Sequence, residues 1–222
     1  MRDDSSEIVI DYFSDILCVW AWIAQPRLQE LSKQWGSRVF VRHHFVDIFG
    51  NCQQKIPSSW GAQDGFERFA GHVQQSAEPF NEADVHPEIW RTIRPSSSAQ
   101  AHLLLRAVGL VAGEDKVAAV ALRIRRAFFC AAVDISDMEI LLELADEEGV
   151  DRTAIAQCLR DGRAIAALSS DLRKANELGV RGSPTWILND GRQILYGNVG
   201  YRVLNANIEE LIKRPEQEAS WC

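Results

Sequence analysis

Two hydrophobic rhythms alternate along the chain. Ile8, Val9, Ile10, Tyr12 and Phe13 form a short run of β-type side chains, which predicts a buried strand. Beyond it Ala24, Leu28, Leu31 and Trp35 recur at helical spacing, and Gly36 follows, so a helix stopped by glycine is expected. Pro26 falls inside that helix and should kink it, because proline removes a backbone donor and crowds the preceding turn. Residues 38–46 return to strand character with Val39, Phe40, Val41, Phe45 and Val46. A strand, a helix and a strand in succession form a βαβ unit, whose strands run parallel with a right-handed crossover.

Residues 47–97 break both rhythms. They carry Pro57, Pro79, Pro87 and Pro95 among Gly50, Gly61, Gly65 and Gly71, so one short helix over 66–73 is expected and loop elsewhere. Trp60, Phe66, Phe69, Phe80 and Trp90 set the segment apart from a disordered tract, and it reads as a cover over a site. From Ser98 the helical period takes over. Leu103, Ala107, Leu110 and Val111 share one face, and Val117, Val120, Ala121, Ile124 and Phe128 share another. Ser136-Asp137-Met138-Glu139 has the form of a capping box, with the Ser136 hydroxyl on the first turn and Glu139 reaching back. Residues 151–161 and 163–178 predict two more helices, ended by Gly162 and Gly179. Helices joined by short links predict a compact helical subdomain.

Strand character resumes over Thr185-Trp186-Ile187-Leu188, turns at Asn189-Asp190-Gly191 and returns through Gln193-Ile194-Leu195-Tyr196. A last helix, with Leu204, Ile208, Leu211 and Ile212 on one face, ends before Pro215, and the tail to Cys222 should be loose. The order is βαβ, helical insertion, ββα. It predicts an α/β core in residues 1–50 and 179–215, a loop-rich cover in 51–97, a helical insertion in 98–178 and a tail in 216–222.

Charge and cysteine usage narrow the function classes. A net charge of −7 over 222 residues, with no basic stretch interleaved with aromatics, excludes a nucleic-acid surface or an anionic membrane as partner. Residues 1–7 are polar and acidic, unlike a secretory signal, and no apolar run is long enough to span a bilayer. The five cysteines (Cys18, Cys52, Cys130, Cys158 and Cys222) are odd in number and widely spaced, and none forms a C-x-x-C pair. That spacing fits neither a zinc knuckle nor a disulfide framework, so a reducing, cytoplasmic setting is expected.

Cys18 stands where the first strand gives way to a helix. A cysteine at a helix start meets unpaired N–H groups at the positive end of the macrodipole, which favours the nucleophilic thiolate and can bring its pKa from about 8.5 to about 7 or below. Three residues on, where a second thiol would close a dithiol site, stands Ala21. The plainer reading of Cys18 is an ordinary buried thiol. His43 and His44 are strand neighbours that point to opposite faces and cannot grip one ion, so both read as structural. His72, His86 and His102 have no metal-binding spacing, and no metal is assigned. His102 lines a pocket or packs its helix. Cys130 and Cys158, in apolar helical stretches, read as inert core thiols; Cys52 in the cover and Cys222 on the tail read as spectators, though either could approach the site.

Three further stretches carry a resemblance. They are Val180-Arg181-Gly182-Ser183-Pro184-Thr185-Trp186, Ala127-Phe128-Phe129 followed by Asp134-Ile135-Ser136-Asp137, and Ser98-Ala99-Gln100-Ala101-His102. In order and spacing, and over nearly the whole chain, they resemble the DsbA-like branch of the thioredoxin superfamily. FrnE-like and 2-hydroxychromene-2-carboxylate isomerase-like members look nearest, and kappa-class glutathione transferases are more distant. The resemblance implies a thioredoxin-like α/β fold with a helical insertion. It also implies a cis Pro184 beside Cys18, a Ser183 backbone able to pair with a thiol peptide such as glutathione, and Trp20 and Trp22 flanking the site, one as core and one as wall. The glutathione-using relatives carry a W-G-x-D turn before the last helix. Here Tyr196-Gly197-Asn198 lacks the aspartate, and Asn198 with the amides of that helix is left to hold a carboxylate.

The implied activity is that of a thiol-disulfide oxidoreductase working as a monothiol at Cys18 with glutathione or another external thiol. The alternatives are a glutathione-dependent isomerase or transferase acting on a small aromatic substrate, and a binding module that has lost the chemistry. A homodimer is left open.

Overall fold

Strand β1 (Ile8–Ser14) runs through the middle of a four-stranded sheet of order β2-β1-β3-β4. It pairs in parallel with β2 (Val39–Phe45) and antiparallel with β3 (Thr185–Leu188), which turns back into β4 (Gln193–Tyr196). Seen here in a computed structural model, the described residues are 8–213; Pro215 and Cys222 lie outside them. The βαβ and ββα halves expected from the sequence therefore meet in one mixed sheet, the thioredoxin-like arrangement that the resemblance implied. No helix among the described residues is long and apolar enough to cross a membrane.

Side-chain alternation gives β1 two different faces. Ile8, Ile10 and Tyr12 pack with Leu28 and Leu31 of α2 (Gln25–Trp35) and with Leu204, Ile208 and Leu211 of α10 (Tyr201–Lys213). Phe13 packs with Ile187 and with Ala175 of α9 (Arg163–Glu177). Pro26 does not kink one helix. A separate short helix α1 (Val19–Ile23) ends at Ala24, and Pro26 sits in the first turn of α2, where its missing N–H would be unpaired in any case. Gly36 closes α2 at φ 52°, a conformation that suits a residue without Cβ.

The cover is more ordered than expected. α3 (Cys52–Trp60) lies where loop was expected, and α4 (Gly65–Ala77) extends the helix expected over 66–73 at both ends. Asn51 starts α3 by accepting from the Gln54 amide at 3.0 Å. A Cβ at residue 65 would come within 3.2 Å of the Pro57 backbone, so glycine there lets the start of α4 lie directly on α3. Phe49, Trp60, Phe69 and Trp90 then pack ring on ring, with centroids 5.3 to 5.8 Å apart.

The insertion comprises α5 (Ala99–Ala112), α6 (Glu114–Phe129), α7 (Met138–Glu147) and α8 (Arg152–Arg160), followed by α9. The cap of α7 is shifted by one residue from the expected box. Asp137 accepts from the Glu139 amide at 2.9 Å, because its carboxylate reaches the first turn; Ser136 instead accepts from the Ser96 amide, and Glu139 pairs with Arg152.

Beneath α9 lies a buried ion network. His44 Nδ1 lies 2.7 Å from Asp171 and Nε2 lies 2.7 Å from Asp11, so both nitrogens donate and the ring is an imidazolium. Lys174 (2.7 Å) and Arg42 (3.4 Å) also reach Asp11, while Asp171 accepts from the Phe45 amide and pairs with Arg106. Burial pushes the Asp11 carboxyl up, but His44 and Lys174 outweigh it and hold it at about 2. Burial likewise disfavours charged His44, and the two carboxylates outweigh that and raise its pKa.

Candidate active site

The end of β1 feeds a tight loop that presents Cys18 at the start of α1. Asp15 builds that loop. Its carboxylate, fully buried, accepts from the amides of Leu17 (2.9 Å), Ile48 (3.0 Å) and Phe49 (2.8 Å) and from the Ser98 hydroxyl (2.9 Å). One side chain thus ties the Cys18 loop to the segment after β2 and to the start of α5. His102 reinforces it: its Nε2 accepts from the Ile16 amide at 3.1 Å, so the proton sits on Nδ1, and burial lowers its pKa and keeps it neutral. Of the two roles weighed for His102, packing against this loop is the one the hydrogen bond supports.

The loop before β3 meets Cys18 from the other side. The Ser183–Pro184 peptide is cis. The Ser183 hydroxyl accepts from the Asp15 amide at 2.9 Å, and the Ser183 carbonyl accepts from the Cys18 thiol at 3.2 Å. The Gly197 amide donates to the Pro184 carbonyl at 2.8 Å, which brings the turn holding Asn198 to the same loop. Asn198 Oδ1 is buried and has no partner among the described residues.

The thiol is not depressed as a helix-start cysteine was expected to be. Cys18 is only 6% exposed, and burial pushes its pKa up. The Ser183 hydrogen bond and the amides of Ala21 and Trp20 pull it back, while the Asp15 carboxylate adds to the rise. α1 has five residues, so its dipole is short as well.

The two tryptophans differ in burial. Trp22 is buried, donates its indole N–H to the Asp84 carbonyl at 3.0 Å and stacks on Phe129 at 5.7 Å, so it belongs to the core. Trp20 is half-buried. A pocket of about 920 Å³ lies along α2, lined by Ile23, Pro26, Arg27, Phe80 and Tyr201 among others; Cys18 does not line it.

The other cysteines stand apart. Cys52 is fully buried in α3, donates to the Phe49 carbonyl at 3.2 Å and is pushed by burial up to about 12. Cys158 is buried. Cys130 was expected in the core and is exposed, because α6 ends at Phe129 and the next residue turns outward, with its thiol 3.6 Å from the Asp84 carbonyl. No cluster of three or more His, Cys, Asp or Glu among the described residues is arranged to hold a metal ion.

Sequence reasoning missed Asp15 and Arg125. Asp15 stands three residues before the cysteine. Arg125 lies inside the apolar stripe of α6, between Ala121 and Phe128, and an arginine in such a stripe is a signal in itself.

Comparison with known proteins agrees with this architecture. No curated protein matches the chain. Among solved structures it is similar to the cytosolic disulfide reductase DsbM from Pseudomonas aeruginosa: 24% identity, 91% of this chain and 99% of that one, TM-score 0.71. The structure of DsbM with GSH matches at 21% identity over 94% and 97% of the two chains, TM-score 0.63. A 2-hydroxychromene-2-carboxylate isomerase matches at 18% identity over 96% and 100%, TM-score 0.66. At these identities the likeness carries the fold. A family model described as the DSBA-like thioredoxin domain matches residues 9–209, and the chain belongs to that family.

Proposed function

We propose that this chain is a monothiol disulfide reductase that works through Cys18 and uses glutathione, or another small external thiol, to resolve its intermediate. The observation that carries the reading is the Cys18 thiol, 3.2 Å from the Ser183 carbonyl before a cis proline, with Ala21 where a second thiol would stand. The chemistry follows from that arrangement. Cys18 loses its proton to solvent, and the thiolate attacks one sulfur of a glutathione mixed disulfide. The substrate leaves as a thiolate and takes up a proton, and Cys18 is left joined to glutathione. With no thiol at residue 21, a second glutathione thiolate attacks the glutathione sulfur. Glutathione disulfide leaves and Cys18 is regenerated.

The edge of the cis-proline loop supports binding of a peptide-like thiol. Asn198 Oδ1 offers an unused acceptor to an N–H of such a ligand. Glutathione-dependent reduction of a glutathionylated peptide, coupled to glutathione reductase, tests the reading. Cys18→Ser should fall to the uncatalysed background, and Asn198→Ala should raise KM for glutathione severalfold with kcat nearly unchanged. A Cys18→Ser protein with wild-type activity overturns the proposal.

One observation favours a second reading. Burial holds Cys18 as a neutral thiol that donates a hydrogen bond. A thiol in that state suits orienting the sulfur of bound glutathione, as an isomerase or transferase acting on a small aromatic substrate requires. Turnover of a conjugated substrate without net consumption of glutathione would select it.

A further inference from the structure

α6 carries an arginine to the inner side of the Cys18 loop. Arg125 is 1% exposed. Its Nη1 donates to Gln25 Oε1 at 3.2 Å, its Nη2 donates to Ser14 Oγ at 2.9 Å, and its Nε has no partner. Both acceptors are neutral, and no carboxylate among the described residues forms an ion pair with it. Buried charges in proteins are paired, and a guanidinium stays protonated even where burial pulls its pKa down, as it does here. None of its hydrogen-bond partners is an anion.

The groups in electrostatic range show where a new anion can form. They are Tyr12 on β1, Asp15 and Cys18 on the loop, His43 on β2 and His102 on α5. Asp15 is a standing carboxylate in that range, with its hydrogen bonds all made to other groups, so it faces Arg125 through space only. Burial holds the Tyr12 phenol and both histidines neutral. Cys18 is the group here that acquires negative charge as it reacts.

We infer that Arg125 is the standing counter-charge of the Cys18 thiolate, a positioning residue that supplies from α6 the positive potential a five-residue α1 cannot supply alone. The inference rests on the proposed Cys18 chemistry and deepens it. Before reaction the Cys18 proton is shared with the Ser183 carbonyl. When that proton leaves to solvent base, the charge on sulfur faces the Ala21 and Trp20 amides and the field of Arg125. The hydrogen-bond partners of Arg125 are neutral and do not cancel that field. Asp15 works in the opposite direction, so Arg125 offsets both burial and a carboxylate.

The pH profile of Cys18 alkylation by iodoacetamide, read by peptide mass spectrometry, tests this. At pH 8, Arg125→Gln should slow alkylation of Cys18 about tenfold and move the midpoint of its profile upward, and Arg125→Lys should stay within about threefold of wild type. Cys130 in the same samples should be unaffected. An unchanged Cys18 profile in folded Arg125→Gln overturns the inference and leaves the monothiol reading intact. A wild-type Cys18 that reacts at no pH overturns both. Should Arg125→Gln fail to fold, the Arg125 Nε–H resonance in the wild-type protein decides. It should move with the Cys18 midpoint and be flat in Cys18→Ser, and a flat resonance in wild type overturns the inference.

Discussion

Two buried polar clusters flank the central strand, one on each face, and they are completed differently. Under α9, His44, Asp11, Asp171, Lys174, Arg42 and Arg106 each face an opposite charge. Towards α1, α2 and α6, Arg125 has only neutral partners, and its Nε, the Tyr12 hydroxyl and His43 Nδ1 have none. The first cluster joins β1, β2 and α9 and sets every charge against an opposite one, although Arg106 Nε and Nη2 make no hydrogen bond. The second leaves polar atoms without partners in the neighbourhood of Cys18, the thiol proposed to react. Unmet polar groups are costly in a folded protein, and they concentrate where a reacting species completes them. The contrast fits a role in the fold for the first cluster and, under the proposed function, a role in the chemistry for the second.

The contrast is broken most severely by opening the completed network. Asp171→Ala leaves His44 Nδ1 and the Phe45 amide without a partner and should cost about 3–5 kcal/mol in urea unfolding, since it breaks up a buried ion network. Specific activity of the folded fraction should hold, because the network lies across the sheet from Cys18. Asp15→Ala should sit next, at about 2–3 kcal/mol, and should also lower activity, because the carboxylate shapes the cysteine loop.

pH sharpens the same contrast. Asp11 is held at about 2 against an ordinary 3.8, so its contribution is present above 3.8 and lost as pH falls towards 2. The pKa of His44 is raised above 6.5, so its contribution is full below 6.5 and lost as pH rises through the folded value. The network should therefore be at full strength between about pH 4 and 6.5. Urea midpoints that fall at both ends of the range, with the alkaline fall abolished in His44→Gln, would bear this out. The smallest effect belongs to Trp22→Phe, which loses one indole hydrogen bond and keeps the stack on Phe129, at about 1 kcal/mol.

The elements with strong periodicity were legible in the sequence. The β1–α2–β2 succession, the β3–β4 hairpin at Asn189-Asp190-Gly191 and the helices closed by Gly162 and Gly179 follow from local pattern and turn chemistry. α3 was hidden because Pro57 lies inside it, and α4 was read only in its middle, over 66–73. Their stability comes from aromatic packing across the cover, which local propensity does not record. Cys130 was misplaced because one residue decides whether a helix end faces in or out. Within the candidate site, Cys18 and the Ser183-Pro184 pair stood out as local motifs. Asp15 and Arg125 act through contacts with residues 83 and 111 positions away, which no local window contains.

The central claim is that Cys18 forms a mixed disulfide that only an outside thiol can resolve. Incubation with glutathione disulfide, followed by intact-protein and peptide mass spectrometry, tests it most directly. The account predicts one glutathione on Cys18 that persists after excess reagent is removed and is released when reduced glutathione is added. Spontaneous conversion of the adduct to an internal disulfide, or modification of Cys130 with Cys18 untouched, would contradict it.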